Sequence, residues 1–289
     1  MEFTIESAEI FVPDGLAVEQ ALARTTHMAI AAHQDDIEIM AFDGIHKCFQ
    51  REDRWFCGVV ATDGSGAPRD SLYKDYTDDA MQAVRRKEQK KAAVVGEYGA
   101  QVLLNYPSRA LKDGSNEAPV EDLTRLLRVT GPEIVYTHNL ADKHDTHVAV
   151  ALRVIEAIRR LPEGERPLRI YGCEVWRDLD WMVDADKVAF DLSAHESLQA
   201  ALLGVFDSQI CGGKRYDLAT MGRRRAHATY HESHGTDVAT GISFAMDLTP
   251  LIADPARSVQ GYVEEFTTRF AQEVLARLAR LQGEMQSPT

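Results

Sequence analysis

The stretch MAIAAHQDDIE, residues 28–38, decides the fold class because an apolar run ends abruptly in polar side chains. Ala29 to Ala32 predict a short buried strand, and helix-compatible apolar spacing resumes from Glu38 to Gln50. Open α/β sheets collect their ligands at such strand-to-helix junctions. The alternative is a solvated turn or a helix cap. Three side chains suited to metal and proton chemistry lie at this junction: His33, Asp35 and Asp36.

A second cluster of His and Asp follows another apolar run later in the chain. Ile134 to Tyr136 predict a buried strand, and an amphipathic helix begins near Asp145. His144 and His147 are three residues apart, so both imidazoles can face the same side of the first helical turn. This favours one pocket shared by both clusters. The alternative is that Asp145 or Thr146 caps the helix and both histidines are ordinary surface residues.

Together the clusters offer two histidines and one aspartate for a metal ion, with a further Asp and a further His nearby. Catalytic zinc typically takes three nitrogen or oxygen ligands and keeps water in the fourth position. The set also resembles the two histidines and one carboxylate that non-haem Fe²⁺ can occupy. The ligand types therefore favour Zn²⁺ but leave Fe²⁺ or another divalent metal open.

The motifs at these positions resemble those of the PIG-L/LmbE-like de-N-acetylases (the GlcNAc-PI de-N-acetylase superfamily). That family has a first motif HPDDE and a later motif HxDH on a Rossmann-like sheet, and this chain has HQDDI at 33–37 and HDTH at 144–147. Residues 84–96 resemble the family's Arg- and Glu-bearing helix, and ATDG at 61–64 lies where the family has a Thr-rich loop. The resemblance is weaker in the C-terminal half, where residues 208–209 match a family SQ pair. It implies a Rossmann-like three-layer α/β fold with a mostly parallel central sheet.

The resemblance also implies roles for the polar residues of both motifs. Three residues are expected to bind the metal: His33, Asp36 and His147. Asp35 is implied to be the general base that takes a proton from water. His144 is implied to stabilise the developing oxyanion or to act as an acid, and a charged imidazole would serve either role.

Three positions depart from the family motifs: Gln34 in place of Pro, Ile37 in place of Glu with Glu38 one position later, and Thr146 in place of Asp. The family Asp at the last position would orient the neighbouring imidazole. We expect Asp145 or Asp142 to orient this imidazole instead. The departures affect the role of His144 most and the three metal positions least.

The rest of the chain predicts one domain over residues 1–289, because no linker or repeat marks a boundary. Helices are expected over 79–95 and, as a long amphipathic terminal helix, over 259–281. The segment 206–237 lacks clear periodicity, and its His- and Arg-rich part, 211–235, is expected to be irregular. Such a segment shapes a substrate pocket or a subunit interface, or is a solvated loop. Further strands are predicted at Cys57–Ala61, Val102–Leu104, Leu168–Val175 and Val188–Leu192.

Aromatic and basic residues outside the motifs offer candidate substrate contacts. Trp176, Arg177 and Trp181 could supply an aromatic wall and a cationic contact for a sugar, although Trp is also a common core residue. His231 and His234 have helix-like spacing but lie in an expected loop. We therefore assign them to substrate contact or to no role, and not to the metal.

The net charge of −13, from 45 Asp and Glu against 32 Lys and Arg, disfavours a nucleic-acid partner. The N-terminus lacks the basic and then apolar pattern of a signal peptide, and no apolar run approaches the ~18 residues of a membrane helix. We therefore expect a cytoplasmic protein with no membrane partner. Four cysteines without CxxC spacing predict reduced thiols rather than disulfides: Cys48, Cys57, Cys173 and Cys211.

These observations favour a zinc-dependent amide hydrolase that releases acetate from a small-molecule N-acetylated sugar or sugar conjugate, and they leave a homo-oligomer possible. One alternative is an amidase acting on a thiol-conjugate or sugar-conjugate amide. Another is a phosphoryl-transfer enzyme that holds Mg²⁺ with Asp35, Asp36 and Asp142, against which the two histidines argue. A third is a binding protein without turnover, supported only by the altered second motif.

Overall fold

The computed structural model describes residues 1–283, and one sheet of eight strands runs through this part of the chain. The predicted strands overlap six of the observed ones, to within two residues at each end. The strands are β1 (Glu9–Phe11), β2 (His27–Ala31), β3 (Phe56–Thr62), β4 (Ala100–Tyr106), β5 (Ile134–His138), β6 (Arg169–Cys173), β7 (Lys187–Asp191) and β8 (Ile242–Asp247).

The strand order is β1-β4-β3-β2-β5-β6-β8-β7. The five strands from β4 to β6 are parallel, whereas β1, β8 and β7 each pair in the antiparallel sense. The chain winds outward from β2 to β4 and then crosses to β5 on the other side of β2. The order therefore reverses between β2 and β5, the kind of switch point where a crevice opens outside the carboxyl ends of the strands.

Helices cover both faces of this sheet. Met28 and Ile30 of β2 point into one apolar core, and Ala29 and Ala31 point into the other, as the two-residue period of a strand requires. The predicted three-layer α/β fold with a mostly parallel sheet is confirmed. The helices are α1 (Val18–Ala23), α2 (Asp36–Met40), α3 (Phe42–Cys48), α4 (Asp78–Val95), α5 (Ser108–Lys112), α6 (Ala118–Thr130), α7 (Asp145–Arg159), α8 (Glu196–Gly204), α9 (Asp207–Ile210), α10 (Tyr216–Tyr230), α11 (Thr249–Ala253) and α12 (Val259–Gln282).

The segment 206–237 corrects one prediction, because it contains α9 and the four-turn helix α10 rather than irregular backbone alone. The buried face of α10 includes Thr220, Arg224 and His227. An apolar periodicity was not visible because these inward-facing side chains are polar. The search for a repeating apolar stripe therefore misses this helix.

The terminal helix α12 matches the predicted range, but its apolar stripe is only partly buried. Tyr262 and Phe266 pack into the core, whereas Val274 is 37% exposed and Leu278 is 50% exposed. The apolar stripe of α12 is therefore buried only as far as Phe266. None of the helices in residues 1–283 is both long and apolar enough to cross a membrane.

The four cysteines are free thiols, and all but Cys211 are buried. The single domain over 1–289 stays a prediction.

Candidate active site

Both sequence clusters lie at the carboxyl edge of the sheet, on the two strands that flank the switch point. Residues 33–36 follow β2, and residues 139–147 follow β5 and lead into α7. A cavity of about 260 Å³ opens between them. Four of the five predicted site residues line it: His33, Asp35, Asp36 and His144. The fifth, His147, is fully buried directly beneath His33 and Asp36.

Three of these side chains converge on one point. His33 Nδ1 lies 3.1 Å from His147 Nε2 and 3.2 Å from Asp36 Oδ2. His147 Nε2 lies 3.3 Å from the same Asp36 oxygen. The three atoms therefore form a nearly equilateral triangle.

The triangle fits a tetrahedral metal ion. Zinc–nitrogen and zinc–oxygen bonds of about 2.0–2.1 Å in a tetrahedron separate neighbouring ligand atoms by about 3.3–3.4 Å. The observed edges of 3.1 to 3.3 Å are close to this separation. Each of the three atoms can offer a lone pair to a cation when the two imidazoles are neutral and protonated on their other nitrogens and the carboxylate is ionised.

The electrostatics of Asp36 suit a ligand. Burial acts to raise the pKa of this carboxyl, but His147 and His33 outweigh burial and hold the pKa well below its usual range. A low pKa keeps the carboxylate ionised, as metal binding requires.

His138, at the end of β5, is a competing ligand that the sequence analysis missed. Its Nε2 lies 3.6 Å from Asp36 Oδ2, and its ring stacks on His147 with centroids 3.9 Å apart. However, the backbone N–H of Ala32 donates to the same Nε2 over 2.9 Å. This hydrogen bond occupies the lone pair that a metal would need. His138 therefore supports the ring of His147 from behind, and its position just past a parallel strand is the signal that could have revealed it.

Asp142 lies behind His147. Its Oδ1 is 3.6 Å from His147 Nδ1 and accepts the backbone N–H of His144 over 2.9 Å. Its Oδ2 accepts the N–H of Trp176 over 3.0 Å. The carboxylate thus faces a metal-ligand candidate, the arrangement that commonly fixes the orientation of a ligating histidine. Within residues 1–283, neither Asp142 nor Asp145 hydrogen-bonds the ring of His144.

His144 caps α7 instead. Its Nδ1 accepts the backbone N–H of Thr146 over 3.3 Å, so the proton of the neutral ring is on Nε2. Burial lowers the pKa of His144, and His147 lowers it further. These contacts favour a neutral imidazole that donates from Nε2, rather than the charged imidazole that would serve either implied role. Thr146, in place of the family Asp, contributes its backbone amide to this cap.

Asp35 lies in a strained turn between β2 and α2, with φ at +87°. Residues other than glycine rarely adopt this conformation, which costs about 1–3 kcal/mol and concentrates at functional sites. Gln89 accepts the N–H of Asp35 over 3.3 Å, and Arg85 Nη2 lies 3.8 Å from Asp35 Oδ1. Burial raises the pKa of Asp35 well above its usual range, and the charge of Arg85 opposes this.

The two departures in the first motif have structural roles. Gln34 is fully buried and donates to the carbonyl of Thr62 over 3.3 Å. Glu38 points away from the cavity, and its Oε1 accepts hydrogen bonds from Gln89 and Tyr98 at 2.9 and 2.8 Å. Burial raises the pKa of Glu38 to about 8, although these bonds oppose it. Glu38 is therefore part of the core beneath the site.

Of the other candidate substrate contacts, Trp176 lines the cavity. Trp181 is partly buried, packs edge-on against Phe270 of α12 with ring centroids 6.3 Å apart, and does not line the cavity. His231 packs against Phe244, and His234 is exposed. The cavity also includes Lys112 and Tyr216, which the sequence analysis did not single out. Lys112 is the last residue of α5, the helix that follows β4, so the rule about strand ends points to its segment but not to this side chain.

These features define a class: an α/β protein with a Rossmann-like sheet and a candidate metal site of two histidines and one aspartate at its switch point. Residues 28–158 match the family model described as PIG-L, GlcNAc-PI de-N-acetylase. This matched segment contains both motifs, so the resemblance seen in them is confirmed. No curated protein sequence matches the chain.

Several solved structures share the fold at low sequence identity. The N,N'-diacetylchitobiose deacetylase from Pyrococcus horikoshii is 20% identical with a TM-score of 0.57, covering 76% of this chain and 83% of that one. The zinc-inhibited form of a teicoplanin deacetylase is 15% identical with a TM-score of 0.52, covering 77% and 98%. The 4-carboxy-2-hydroxymuconate hydratase from Pseudomonas putida is 15% identical with a TM-score of 0.58, covering 78% and 96%. The fold thus carries more than one reaction.

Proposed function

We propose that this protein is a metal-dependent N-deacetylase that hydrolyses the acetamide of an amino sugar or sugar conjugate. The observation that carries the proposal is the triangle of His33, Asp36 and His147 atoms, open to a cavity that Asp35 and His144 also line. The PIG-L match of residues 28–158 and the deacetylases that share the fold support the same reaction.

His33, Asp36 and His147 would hold the metal. A divalent ion bound there would lower the pKa of water to roughly 7 and polarise the amide carbonyl. Zinc is our first choice. Because one deacetylase that shares the fold has a zinc-inhibited form, Fe²⁺ and other divalent metals are necessary parts of the test.

Asp35 would accept the proton of the attacking water. The water oxygen then bonds to the carbonyl carbon, the C–N bond breaks, and the proton passes from the Asp35 carboxyl to the departing nitrogen. Arg85, 3.8 Å from Asp35, favours the ionised carboxylate that this step needs. The backbone of the strained turn keeps Asp35 in the cavity while Asp36 begins α2.

His144 would stabilise the negative charge that develops on the carbonyl oxygen. The N–H of Thr146 fixes Nδ1 as an acceptor, so a neutral ring presents its Nε2–H as a donor. A donor that is already held in position stabilises such charge without reorganisation during the reaction.

The alternative functions fit the site to different degrees. A phosphoryl-transfer centre would need Asp142 as a metal ligand, but both its oxygens accept backbone N–H groups behind His147. An amidase acting on a thiol-conjugate or sugar-conjugate amide would use the same residues and differ only in substrate. A cytoplasmic location and a homo-oligomer remain predictions.

The test is elemental analysis of the purified protein combined with an acetate-release assay. The assay covers a panel of N-acetylated sugars, with and without a chelator, and after reloading with Zn²⁺, Fe²⁺ or Mn²⁺. We expect one metal per chain and chelator-sensitive acetate release. A protein that binds none of these metals and stays inert would refute the proposal and favour a binding protein. Bound metal without acetate release would mean that the substrate class is wrong.

A further inference from the structure

A second cavity, of about 230 Å³, lies directly against the active-site cavity. The two share four residues: Ile39, Val175, Trp176 and Tyr216. A substrate that extends past Trp176 and Tyr216 from the candidate metal site therefore reaches this second cavity.

The charge of the second cavity is opposite to that of the chain. Its lining includes Lys214, Arg215 and Arg223 and contains no Asp or Glu, in a protein of net charge −13. Arg215 pairs with Asp217 over 2.8 Å, which offsets its charge. In the part of the chain that the structure describes, Lys214 and Arg223 have no carboxylate within 4 Å.

Lys214 and Arg223 both contact residues that line the two cavities. The Nζ atom of Lys214 lies 4.3 Å from the ring centroid of Trp176, and the backbone N–H of Lys214 donates to Gln209 over 2.9 Å. Arg223 Nη1 donates to the carbonyl of Val175 over 2.6 Å, and Nη2 lies 3.5 Å from the carbonyl of Trp176. A guanidinium has five N–H donors, so Arg223 keeps some for a ligand.

We propose that the substrate carries an anionic group, a carboxylate or a phosphate, which binds Lys214 and Arg223 in the second cavity. The acetamide end would lie at the candidate metal site, so this part of the inference rests on the proposed function. Charge-assisted hydrogen bonds to an ammonium and a half-buried guanidinium are among the strongest available to a ligand. Lys214 and Arg223 are therefore expected to select substrates, whereas the metal-site residues act on them.

The test measures binding first, so that it does not depend on turnover. Calorimetry on the unmodified holoprotein compares glucosamine 1-phosphate and glucosaminyl glycolate, both anionic, with the neutral methyl glucosaminide. We expect the anionic ligands to bind roughly ten-fold more tightly, with an advantage that shrinks as salt rises. The phosphate and carboxylate arms identify which anion is preferred.

Lys214→Met should remove most of that advantage without changing the affinity for methyl glucosaminide. Lys91→Met is the matched control, because it makes the same change of charge on the exposed side of α4, and it should leave the affinities unchanged. Since Lys214 is exposed, its variant should unfold at the same urea concentration as the unmodified protein. Equal binding of anionic and neutral ligands by the unmodified protein would overturn the inference. An advantage of the anionic ligands that persists undiminished in Lys214→Met would overturn it as well.

The N-acetylated forms of the same ligands then separate this inference from the proposed function. Charge-dependent binding without acetate release from any ligand would support the second cavity as an anion site and refute the proposed reaction on this class of amino sugar. Acetate release that is equal for neutral and anionic substrates would support the deacetylase and overturn the anion site.

Discussion

Asp35 and Asp36 are adjacent in sequence but have opposite electrostatic environments. Burial raises the pKa of Asp35, whereas two histidines hold the pKa of Asp36 well below its usual range. The contrast arises because Asp36 begins α2 beside His33 and His147, while the strained backbone of Asp35 directs its side chain toward Arg85. We therefore expect the two carboxylates to have different roles.

Replacing each aspartate by its isosteric amide should separate these roles. Asp36→Asn removes a charged ligand atom from the triangle, so the purified variant should lose its bound metal. Asp35→Asn should keep the metal and lower the kcat of acetate release by about 10²- to 10⁴-fold, which is the usual contribution of a general base to the rate. Elemental analysis and the acetate assay on both variants measure this. Retention of metal by Asp36→Asn with its loss from Asp35→Asn would reverse the assignment.

Gly64 is a second residue near the site whose backbone has a conformation that favours glycine. Its φ is +76°, and a Cβ atom there would lie 2.6 Å from Gln34 Oε1 and 3.0 Å from Arg85 Cδ. Gly64→Ala should therefore lower the free energy of unfolding by about 2 kcal/mol, from backbone strain and from displacement of both neighbours. Urea denaturation measures the change.

Gly66→Ala is the control in the same loop, because nothing lies within 4 Å of its Cβ position and its φ is not positive. We expect a change within about 0.5 kcal/mol. Equal effects of the two substitutions would show that the loop adapts and that Gly64 is not required.

At the scale of elements, α10 holds the short helix α2 in place. Arg224 is buried, and its Nη2 donates to the carbonyls of Glu38 and Ile39 over 2.9 Å each, while Nη1 donates to Gln199 over 2.8 Å. Those carbonyls belong to the last turn of a five-residue helix, which has few intrahelical partners for them. Because Asp36 begins α2, Arg224 indirectly positions a candidate metal ligand.

Arg224→Met should destabilise the protein by about 2 kcal/mol. The substitution leaves the buried acceptors of Arg224 without a donor, which by itself would cost more than about 2 kcal/mol. It also removes a guanidinium that was unfavourable to bury, and this offsets part of the cost. Burial lowers the pKa of Arg224 to about 9, a sign of that penalty. We also expect weaker metal binding, measured by competition with a chelator.

Arg225→Met is the matched control one residue later. Arg225 is exposed and pairs with Glu196 at the surface, so its loss should change stability by less than about 1 kcal/mol and leave metal affinity unchanged. Equal metal affinities of the two variants would argue against the positioning role of Arg224.

At the scale of the whole molecule, the antiparallel end of the sheet depends on a buried carboxyl. Glu174 follows β6, and it accepts the N–H groups of Leu179 and Phe244 over 2.6 and 2.9 Å. Burial raises its pKa to about 7, although these hydrogen bonds oppose the rise. The ordinary pKa of a glutamate in the unfolded chain is near 4.5.

This pKa difference predicts how stability depends on pH. Between about pH 4.5 and 7 the folded protein holds a proton on Glu174 that the unfolded chain has lost, so this group's contribution to stability falls as pH rises, by at most about 1.4 kcal/mol per pH unit. Urea denaturation at several pH values should show the unmodified protein losing stability relative to Glu174→Gln over this range. The amide introduced by this substitution does not titrate and changes stability by a constant amount, so only the slope reports the titration. Parallel profiles would contradict the prediction.

The sequence alone determined the parts of the molecule that follow local rules. Short apolar runs predicted β2 and β5, and the charged residues after them predicted where the site lies, because parallel strands end at a common edge. The same local periodicity predicted α4 and the range of α12. It failed for α10, whose buried face is polar.

Only the tertiary structure decided how the site residues divide their contacts, because these depend on groups far apart in the chain. His138 supports His147 rather than joining the triangle, since the amide of Ala32 occupies its lone pair. Asp142 faces His147 rather than His144. The second cavity, with its Lys and Arg side chains, exists because α10 packs beside Trp176. Sequence spacing carries no information about such contacts, since chain packing sets the distances between their atoms.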